Sequence, residues 1–436
     1  MLHKNYYSTL TRSKANFVFL SFLLGIFTVC VYFPIPALSS QLSSISNNYD
    51  SVIVIPKKNA STSRRMNRMI DKYGIERFQE VKENIYLIPL NDNDNKELKI
   101  SELKRSRLFR SVEPNYKLSL DAISSERKYI EINKYSMEES LDLLEVTPND
   151  EGFAFQYYLK EINATKAWNT TIGNLLPVAI LDTGVDVTHP DLAGKLLDES
   201  DLNNSNFKDE IGHGTGVAGI IAANTNNNQG VAGIAWNAKI VPMKITNENG
   251  EATISTVVTA LDQAYEKGIM IVQISLSTNM YSEILKEAIK EAQDRDILII
   301  SSGGNSGIQE PRYPAAFDGV IGVGAVNQFK QIESYSTTGE HITLVAPGNS
   351  ICTISPDSSY ISASGTSFAS PQVVGAAILV WSLAPNLSSS EVRDILIQSA
   401  EDLGEPGKDL VYGYGHLNAQ KAVEIAKAKL TKTYRE

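Results

Sequence analysis

Residues 240–301 contain the segments IVPMK, STVVTALDQAYEK, IMIVQISL, SEILKEAIKEAQD and ILIIS, which begin at Ile240, Ser255, Ile269, Ser282 and Ile297. Three of these segments are short apolar runs, which are typical of buried strands. The other two are longer and repeat apolar residues every three or four positions, as amphipathic helices do. Strand, helix and strand in repetition predict a parallel sheet that is covered by helices on both faces.

The same alternation continues on both sides of this stretch. Further candidate strands are Val178–Leu181, Val320–Ala325 and Ile342–Val345. We therefore expect an α/β fold for residues 150–430, with a three-layer αβα architecture around a mostly parallel, twisted sheet. Sheets of this kind carry their functional sites at the carboxyl ends of the strands.

The first 39 residues differ in character from the rest of the 436-residue chain. Basic side chains precede an apolar run from Phe17 to Phe33, and prolines and small residues follow it. This order predicts an export signal peptide at residues 1–39, and an uncleaved membrane anchor is the alternative. We expect a secreted protein that meets a membrane only through this signal peptide.

Residues 50–120 show a small α+β pattern of their own. Candidate strands are Ser51–Ile55, Ile85–Pro89 and a stretch near Leu108–Leu118, and residues 64–83 favour a helix. The piece is short for an independent domain, so it is expected to precede and serve the larger α/β domain.

Residues 121–149 are polar and dense in charge, so they are interpreted as an exposed connector. The segment 50–120 has a net charge of +5, whereas residues 121–436 have a net charge of −18. These opposite charges predict that the two parts attract each other, and the acidic body argues against nucleic acid as a partner.

The chain has two cysteines, Cys30 in the expected signal peptide and Cys352. Removal of the signal leaves one thiol, so an internal disulfide cannot form. A secreted domain of this kind must rely on a large core or on metal ions, and the cysteine usage favours a Gram-positive bacterial exoprotein.

The candidate strand Val178–Leu181 is followed directly by Asp182-Thr-Gly. A carboxylate at a strand end is suited to catalysis, and a structural aspartate is the alternative. Asp-Thr-Gly also occurs in aspartic proteases, whose mechanism needs two carboxylates sharing a proton. The sequence contains no second Asp-Thr-Gly or Asp-Ser-Gly, which argues against that mechanism.

His213 lies in the segment Gly212-His-Gly-Thr-Gly-Val-Ala-Gly219, which leads into an apolar stretch. The small residues leave the imidazole uncrowded at the start of a helix. Of the five histidines, only His213 is framed by glycines in this way. It is the candidate catalytic base, and a satisfied structural histidine is the alternative.

Ser367 lies in the segment Ser364-Gly-Thr-Ser-Phe-Ala-Ser-Pro371, ahead of a long apolar run. A serine in the first turn of a helix has its hydroxyl near unpaired backbone N–H groups and the positive end of the helix dipole. This position suits stabilisation of the oxyanion that forms when a serine attacks a carbonyl. An ordinary N-cap serine is the alternative.

Another candidate strand ends in Ser301-Ser-Gly-Gly-Asn305. The side-chain amide of Asn305 would supply a second hydrogen-bond donor to such an oxyanion. Gly-Gly-Asn is also an ordinary turn, so this signal is weak without the other motifs.

Together these motifs resemble the subtilase family of serine proteases over residues 150–430, and they occur in the order aspartate, histidine, serine. The resemblance implies that Ser367 is the nucleophile, that His213 is first base and then acid, and that Asp182 orients the imidazole. It also implies an oxyanion hole formed by Asn305 and the amide of Ser367.

The resemblance further implies that a substrate peptide binds along Ser275-Leu276-Ser277 as an added strand, with Gly303 beside it. The family usually has glycine where Ser277 stands. A narrower wall of the substrate cleft is therefore expected here.

Arg312, which precedes Tyr313-Pro314, falls by this resemblance near the floor of the primary specificity pocket. A cation there would pair with an acidic side chain. This predicts cleavage after Glu or Asp, that is, an acidic residue at the P1 position before the cut bond. Neutralisation of Arg312 by Glu310 is the alternative.

Two oxygen-rich segments resemble those that hold calcium in many subtilases, and such segments suit a hard cation. A polar turn is the alternative. The ligands that the resemblance implies for a structural Ca²⁺ are Asp191, Thr225, Asn227, Gln229 and Val231.

Residues 50–120 resemble the propeptide of the same family, so the chain is expected to be made as a zymogen. A basic template would assist the slow folding of a parallel sheet and would block the cleft until it is cut. A bystander domain is the alternative.

The expected function is that of a monomeric serine endopeptidase that acts on a peptide or protein through an acyl-enzyme. The size, the propeptide and the unusual pocket resemble the lantibiotic leader-processing branch, which removes leaders from modified peptide antibiotics. A general nutritional or maturation protease is the enzymatic alternative. A non-catalytic surface binding protein on the same scaffold is the alternative of another class.

Overall fold

The structure is a computed structural model that describes residues 49–57, 79–91, 95–120, 128–130, 145–197, 200–201 and 207–433. The expected signal peptide lies outside these residues, as does most of the helix expected over residues 64–83. The last part of that helix prediction is wrong, because Gln79–Lys82 form a strand.

The N-terminal part of the described chain is a four-stranded antiparallel sheet with one helix. The strand order is β2-β3-β1-β4. Its elements are β1 (Ser51–Pro56), β2 (Gln79–Lys82), β3 (Ile85–Pro89), α1 (Lys96–Arg105) and β4 (Phe109–Pro114).

Strand β1 is buried on both faces, which explains its unbroken apolar sequence. Val52 and Val54 pack with Leu103 of α1 in one cluster. Ile53 and Ile55 point to the opposite face, since side chains alternate along a strand, and they join the core of the larger domain. The N-terminal sheet is therefore packed against the rest of the protein.

Two short strands connect this part to the main domain. The stretch expected near Leu108–Leu118 is divided in two, because the chain leaves β4 and forms β5 (Lys117–Ser119) after a break. Within the expected connector, β6 (Lys128–Tyr129) is exposed and pairs with a later strand.

The main domain alternates strands and helices as the sequence predicts. Its strands are β7 (Pro177–Asp182), β8 (Ser200–Asp201), β9 (Lys239–Lys244), β10 (Glu251–Thr253), β11 (Ile271–Ile274), β12 (Leu298–Ser302), β13 (Ile321–Val326), β14 (Ile342–Pro347), β15 (Ile351–Ser355) and β16 (Ser359–Ala363). Its helices are α2 (Tyr157–Glu161), α3 (Ala164–Ala167), α4 (His213–Ala222), α5 (Ile254–Glu266), α6 (Glu283–Asp294), α7 (Thr366–Leu383), α8 (Ser389–Ser399) and α9 (Ala419–Thr433), with 3-10 turns at Phe153–Phe155 and Pro190–Leu192.

Seven strands form one parallel sheet in the order β14-β13-β12-β11-β7-β9-β8. All six strands expected from the sequence belong to this sheet, which confirms the α/β prediction, and β8 extends its edge. The antiparallel sheet β15-β16-β6 was not expected.

The three layers follow from the alternation of side chains along the strands. In β7, Val178 and Ile180 face the core that contains α4, α7, α8 and α9. Ala179 and Leu181 face the core that contains α5 and α6. Because full burial of one such aliphatic side chain contributes about 1.5–3 kcal/mol, the two cores stabilise the sheet from both sides.

Helix α7 runs through the larger core. Within the described chain it is the one helix long and apolar enough to cross a membrane, and 89% of that apolar stretch is buried inside the protein. A helix that is apolar on all sides and enclosed by protein is a core helix. Its first turn carries Ser367.

Candidate active site

Asp182 and His213 form a buried pair at the carboxyl edge of the sheet. Asp182 is the last residue of β7 and is fully buried, and His213 begins α4 and is 6% exposed. The distance from His213 Nδ1 to Asp182 Oδ1 is 2.7 Å, and the amide of Thr183 donates to the same oxygen at 2.7 Å. The Asp182 carboxylate therefore fixes the imidazole through Nδ1, and Nε2 is the nitrogen left for proton transfer.

Asp209 joins the elements that carry these two residues, and the sequence analysis missed it. Its carboxylate is 1% exposed and accepts hydrogen bonds from the Thr183 hydroxyl and the Gly212 amide, both at 2.7 Å. Its second oxygen accepts the amide and the hydroxyl of Thr215 at 2.8 and 2.7 Å. Gly212 is the N-cap of α4, so Asp209 lies three residues before the position at which a capping signal is read, and no sequence pattern marks it.

Ser367 is the second residue of α7. It is 5% exposed, and its hydroxyl donates to the Ser275 carbonyl at 3.2 Å. Gly365 caps the helix with a φ of +149°, a conformation that favours glycine. A turn of the hydroxyl away from Ser275 is needed before its proton can pass to an imidazole.

Asn305 is held against the start of the same helix. Its side-chain oxygen accepts the Thr366 amide at 3.0 Å and the Thr366 hydroxyl at 2.9 Å. These two bonds fix the orientation of the side chain and assign its NH₂ group as the end that can donate. The residue expected to stabilise an oxyanion is thus bonded to the neighbour of Ser367.

The cleft along residues 275–277 contains the segment β5. Ser119 and Ser277 exchange two backbone hydrogen bonds of 3.1 Å. On its other side β5 pairs with β10 through Leu118 and Ala252, and Leu118 is fully buried. The stretch expected to bind substrate as an added strand therefore binds a strand of the same chain, and Leu276 lies fully buried beneath it.

Arg312 contacts Ser277, which lines this cleft. Its Nε donates to the Ser277 hydroxyl at 3.1 Å, and its Nη1 lies 3.3 Å from Glu310 Oε1. The side chain is 12% exposed. A Cβ at Gly304 would lie 2.7 Å from Arg312 Cγ, so glycine is required for the arginine to pass.

Gly303, which was expected beside the substrate, has both of its backbone groups bonded within the protein. Its amide donates to the Val323 carbonyl at 2.8 Å, and its carbonyl accepts Nε2 of His341 at 2.9 Å. Burial lowers the pKa of His341, and the nearby charge of Arg312 lowers it further. At neutral pH, His341 is therefore neutral, carries its proton on Nε2 and donates it to the Gly303 carbonyl.

The predicted calcium ligands Asp191 and Asn227 lie together. Asp191 Oδ1 accepts the Asn227 side-chain amide at 3.1 Å, and its Oδ2 accepts the Val231 amide at 3.0 Å. Gln229 donates its amide to Asn227 Oδ1 at 3.1 Å. The Thr225 hydroxyl instead accepts the amide of a residue outside the predicted set, Gly233, at 3.0 Å.

A second buried carboxylate, Asp150, stands beside this loop and was not predicted. It is 3% exposed and accepts the amides of Asn226 and Asn227 at 2.8 and 3.1 Å. Burial raises the pKa of Asp191 to about 6, and the charge of Asp150 adds to the effect. Neither carboxylate is ion-paired with a Lys or Arg of the described chain, so a cation here would relieve an unfavourable pair of buried charges.

The sequence was compared with known proteins. The chain is 36% identical over 281 residues to thermitase of Thermoactinomyces vulgaris, and the match covers 64% of this chain and 99% of thermitase. It is 37% identical over 259 residues to subtilisin DY of Bacillus licheniformis, which covers 58% and 92% of the two chains. It is 33% identical over 262 residues to the minor extracellular protease Epr of Bacillus subtilis strain 168, which covers 60% and 40%.

The model of the subtilase family matches residues 173–415. This region is more than half of the chain and contains Asp182, His213 and Ser367. The chain belongs to the subtilase family, and it is a serine endopeptidase.

Proposed function

We propose that Ser367, His213 and Asp182 are the catalytic triad and that Asn305 with the Ser367 amide forms the oxyanion hole. The observation that carries this proposal is the buried 2.7 Å contact between His213 and Asp182. Ser275 lies at the same sheet edge, and its carbonyl accepts the Ser367 hydroxyl. Two residues further along, Ser277 pairs with strand β5.

The chemistry follows from these positions. The Ser367 oxygen attacks the substrate carbonyl while His213 Nε2 takes the hydroxyl proton, and Asp182 stabilises the imidazolium that forms. The positive end of α7 and the amide of Asn305 stabilise the negative oxygen of the tetrahedral intermediate. His213 then protonates the leaving amine, and a water molecule hydrolyses the acyl-enzyme by the reverse sequence.

The test is covalent labelling with a fluorophosphonate together with peptide hydrolysis. Ser367→Ala should abolish labelling and lower kcat by at least ~10⁴-fold. Ser364→Ala is the matched control, because Ser364 lies three residues earlier and its hydroxyl bonds only the Ser350 amide among the described groups. Undiminished turnover by Ser367→Ala would end the protease interpretation and would favour the non-catalytic binding protein.

Residues 50–120 act in this proposal as a propeptide that inhibits the cleft and templates folding. Ion pairs between this segment and the main domain support this role. Lys82 lies 2.8 Å from Asp262 and 2.9 Å from Glu291, and Arg110 forms a two-pronged pair with Glu287 at 2.7 and 2.9 Å. The attraction expected from the net charges thus has specific ionic contacts.

The same segment also caps two helices of the main domain. Glu113 accepts the hydroxyl of Ser282, the N-cap of α6, at 2.7 Å. Asn115 accepts the Ser255 amide in the first turn of α5 at 3.0 Å and donates to the Ser255 hydroxyl at 3.0 Å. Because unpaired N–H groups at a helix start need partners, these side chains stabilise both helices as they form.

Expression of residues 121–436 alone tests the propeptide. The expected product is poorly folded and inactive, and addition of residues 50–120 as a separate chain should restore folding. Residues 50–120 carrying Glu113→Ala and Asn115→Ala should restore less, whereas Glu97→Ala at an exposed position of α1 should behave as the unaltered segment. Full activity of 121–436 without the segment would refute the folding role.

Arg312 gives the enzyme a preference for an acidic P1 residue in this proposal. The guanidinium borders Ser277, whose backbone binds the strand in the cleft. Kinetics with matched Glu, Arg and Leu peptides test the preference, which should fall at least tenfold in Arg312→Gln. A preference of the unaltered enzyme for Arg or Leu would discard it.

A structural Ca²⁺ would be held by the carboxylates of Asp150 and Asp191 with oxygens of Thr225, Asn227, Gln229 and Val231. A set of carboxylate, amide and carbonyl oxygens fits a hard cation, and the two buried carboxylates explain why one is needed. A Ca²⁺ here would stabilise the loop against proteolysis and would take no part in the chemical step.

The cellular role completes the proposal. Residues 1–39 direct secretion from a Gram-positive cell, and one relative is named as extracellular. The enzyme acts as a monomer and removes the leader of a precursor peptide, such as a lantibiotic precursor, whereas a degradative enzyme is the alternative. Digestion of casein beside a leader-bearing precursor separates the two, because a leader protease should cut the precursor once and leave casein intact.

A further inference from the structure

Gln273 is a polar side chain in an apolar layer of the main domain. It is the third residue of β11, is fully buried, and lies between Ile180 of β7 and Ile300 of β12 in the sheet. Because side chains alternate along a strand, Gln273 faces the same core as Ile271, which is the core that contains α7. A glutamine in this environment must exchange its hydration for hydrogen bonds within the protein.

The side-chain amide of Gln273 connects two serines from different elements. Its Nε2 donates to the Ser275 hydroxyl at 2.9 Å and to the Ser370 hydroxyl at 2.6 Å. Ser275 follows the end of β11, whereas Ser370 lies within α7, and both serines are buried. Because the amide group has two hydrogens, it holds the strand and the helix at the same time.

Both serines are close to the proposed nucleophile. The Ser275 carbonyl accepts the Ser367 hydroxyl at 3.2 Å, and Ser370 follows Ser367 by three residues, which is nearly one helical turn. A shift of the end of β11 relative to α7 would therefore move the Ser367 hydroxyl at the edge of the sheet. Misplacement of a reacting group by about 1 Å can lower a rate on the order of 100-fold.

We propose that Gln273 is a positioning residue that holds the start of α7, and with it the Ser367 hydroxyl, at a fixed place beside the end of β11. The inference rests on the proposed triad and names a residue that supports it. Because Gln273 is fully buried, it acts through Ser275 and Ser370 and does not itself contact a substrate.

Removal of this side chain should cost the protein little stability. The Oε1 atom of Gln273 is buried and accepts no hydrogen bond from the part of the chain that the structure describes, so no bond is lost there. The two serine hydroxyls lose a donor, but a hydroxyl can rotate and donate to another acceptor. We therefore expect an apolar replacement of Gln273 to lower activity more than stability, a pattern that a residue needed only for packing does not show.

The experiment is the replacement Gln273→Met, because methionine adapts to an apolar core and donates no hydrogen bond. We expect kcat for peptide hydrolysis to fall at least tenfold and KM to stay within about twofold, since the backbone expected to bind the peptide is unaltered. The rate constant of fluorophosphonate labelling should fall by a similar factor, because this reagent needs the nucleophile and no substrate strand. The Tm, measured in the Ser367→Ala background, should stay within about 3 °C of the unaltered value.

Gln156→Met is the matched control, since it makes the same replacement at another buried glutamine of the main domain. Gln156 Nε2 donates to the Tyr158 hydroxyl and to the Ala232 carbonyl, both at 2.8 Å, and its Oε1 accepts the Ala232 amide at 2.8 Å. Its loss leaves two buried backbone groups without these partners. The Tm should therefore fall further than in Gln273→Met, while kcat and the labelling rate stay unchanged.

A double-variant cycle tests the connection to α7. Ser370→Ala removes the acceptor on the helix and should lower kcat less than Gln273→Met does, because the bond to Ser275 remains. If one amide group connects both serines, the double variant Gln273→Met with Ser370→Ala should lose no more activity than Gln273→Met alone. Multiplication of the two losses in kcat would show that the residues act independently and would overturn the connection.

The outcomes separate this inference from the proposed function. An unchanged kcat and labelling rate in Gln273→Met, or a rise in KM alone, overturns the positioning role while Ser367 still labels and hydrolyses peptides. A loss of kcat that active-site titration traces to a smaller folded fraction also overturns it. Loss of labelling in the unaltered protein would instead overturn the proposed triad.

Discussion

The hydroxyl of Thr183 and the carboxylate of Asp209 form a buried hydrogen bond of 2.7 Å that links the strand carrying Asp182 to the helix carrying His213. The same carboxylate accepts the Gly212 amide just before that helix. The geometry of the proposed catalytic pair, Asp182 and His213, therefore depends on a second carboxylate that contacts neither partner's side chain.

Replacement of Asp209 by Ala should impair catalysis and stability together. Several buried donors would lose their acceptor, at a cost of about 1–3 kcal/mol for each unsatisfied group. We expect kcat to fall at least tenfold with KM nearly unchanged, because substrate binding uses other residues. Steady-state kinetics and urea unfolding in the Ser367→Ala background, which prevents self-digestion, measure the two effects.

Glu210→Ala provides the control for Asp209, since Glu210 is the next residue and is exposed. It should leave kcat and the urea midpoint unchanged. A rise in KM with kcat preserved in Asp209→Ala would show that the carboxylate acts on the cleft rather than on the triad.

Calcium should stabilise the protein through Asp191. Burial raises the pKa of Asp191 to about 6, above its ordinary value of about 3.9, so ionisation of this carboxylate opposes folding at neutral pH. A bound cation reverses this effect. We expect millimolar CaCl₂ to raise the Tm of the Ser367→Ala protein by several degrees and EDTA to lower it.

Asp191→Asn should remove most of this calcium response, and its own Tm without calcium should be less dependent on pH between about 4 and 6. Asp186→Asn is the control, because Asp186 bonds Thr188 outside the loop. An unchanged response in Asp191→Asn would place the cation elsewhere.

Inhibition by residues 50–120, the proposed propeptide, should weaken with salt. Lys82 is 16% exposed and bridges Asp262 and Glu291, so its loss removes two partly buried ionic contacts. We expect Lys82→Ala in a separately supplied 50–120 segment to raise its inhibition constant about tenfold at low ionic strength. The difference should shrink at 0.5 M NaCl, where charges are screened over a few ångströms.

Lys104→Ala, on the exposed end of α1, should inhibit as the unaltered segment does. Equal salt dependence of the Lys82 and Lys104 variants would mean that the overall charge of the segment is sufficient and that the contacts of Lys82 are not specific.

The fold was largely predictable because its strands are apolar runs with local signals. The helices at Ile254–Glu266 and Glu283–Asp294 begin within one residue of the expected positions, since Thr253 and Ser282 cap them. The strand Gln79–Lys82 was missed because its pairing with β3 outweighs a helix-compatible sequence. In such short segments, tertiary contacts outweigh local propensity and decide the secondary structure.

The candidate site was predictable only where a motif surrounds the residue. His213 and Ser367 lie in glycine-rich blocks at helix starts, which are visible in the sequence. Asp150 and Asp209 are single carboxylates outside any motif. Each bonds a distant segment, Asp150 through Asn226 and Asp209 through Thr183. The pairing of Ser119 with Ser277 joins residues far apart in the chain and follows no local pattern, so it required the structure.

His416 should make the protein sensitive to acid. The side chain is 1% exposed, its ring nitrogens bond no protein group of the described chain, and burial lowers its pKa to about 4. An unfolded histidine has a pKa of about 6.5, so the unfolded state takes up a proton first as the pH falls. The contribution of neutral His416 to the free energy of unfolding is therefore fully present above pH 6.5. It is lost progressively toward pH 4, by about 3 kcal/mol.

His416→Leu should flatten this part of the stability profile, because leucine fills the buried site and binds no proton. Urea unfolding of the Ser367→Ala protein at intervals from pH 7 to 4, with and without His416→Leu, measures the difference in slope. His189 and His341 also have lowered pKa values and retain their share of the slope in both proteins, whereas the raised pKa of Asp191 acts in the opposite direction. Parallel stability profiles for the two proteins would contradict the prediction. They would mean that water reaches His416 and that the ring is protonated in the folded state with little loss of stability.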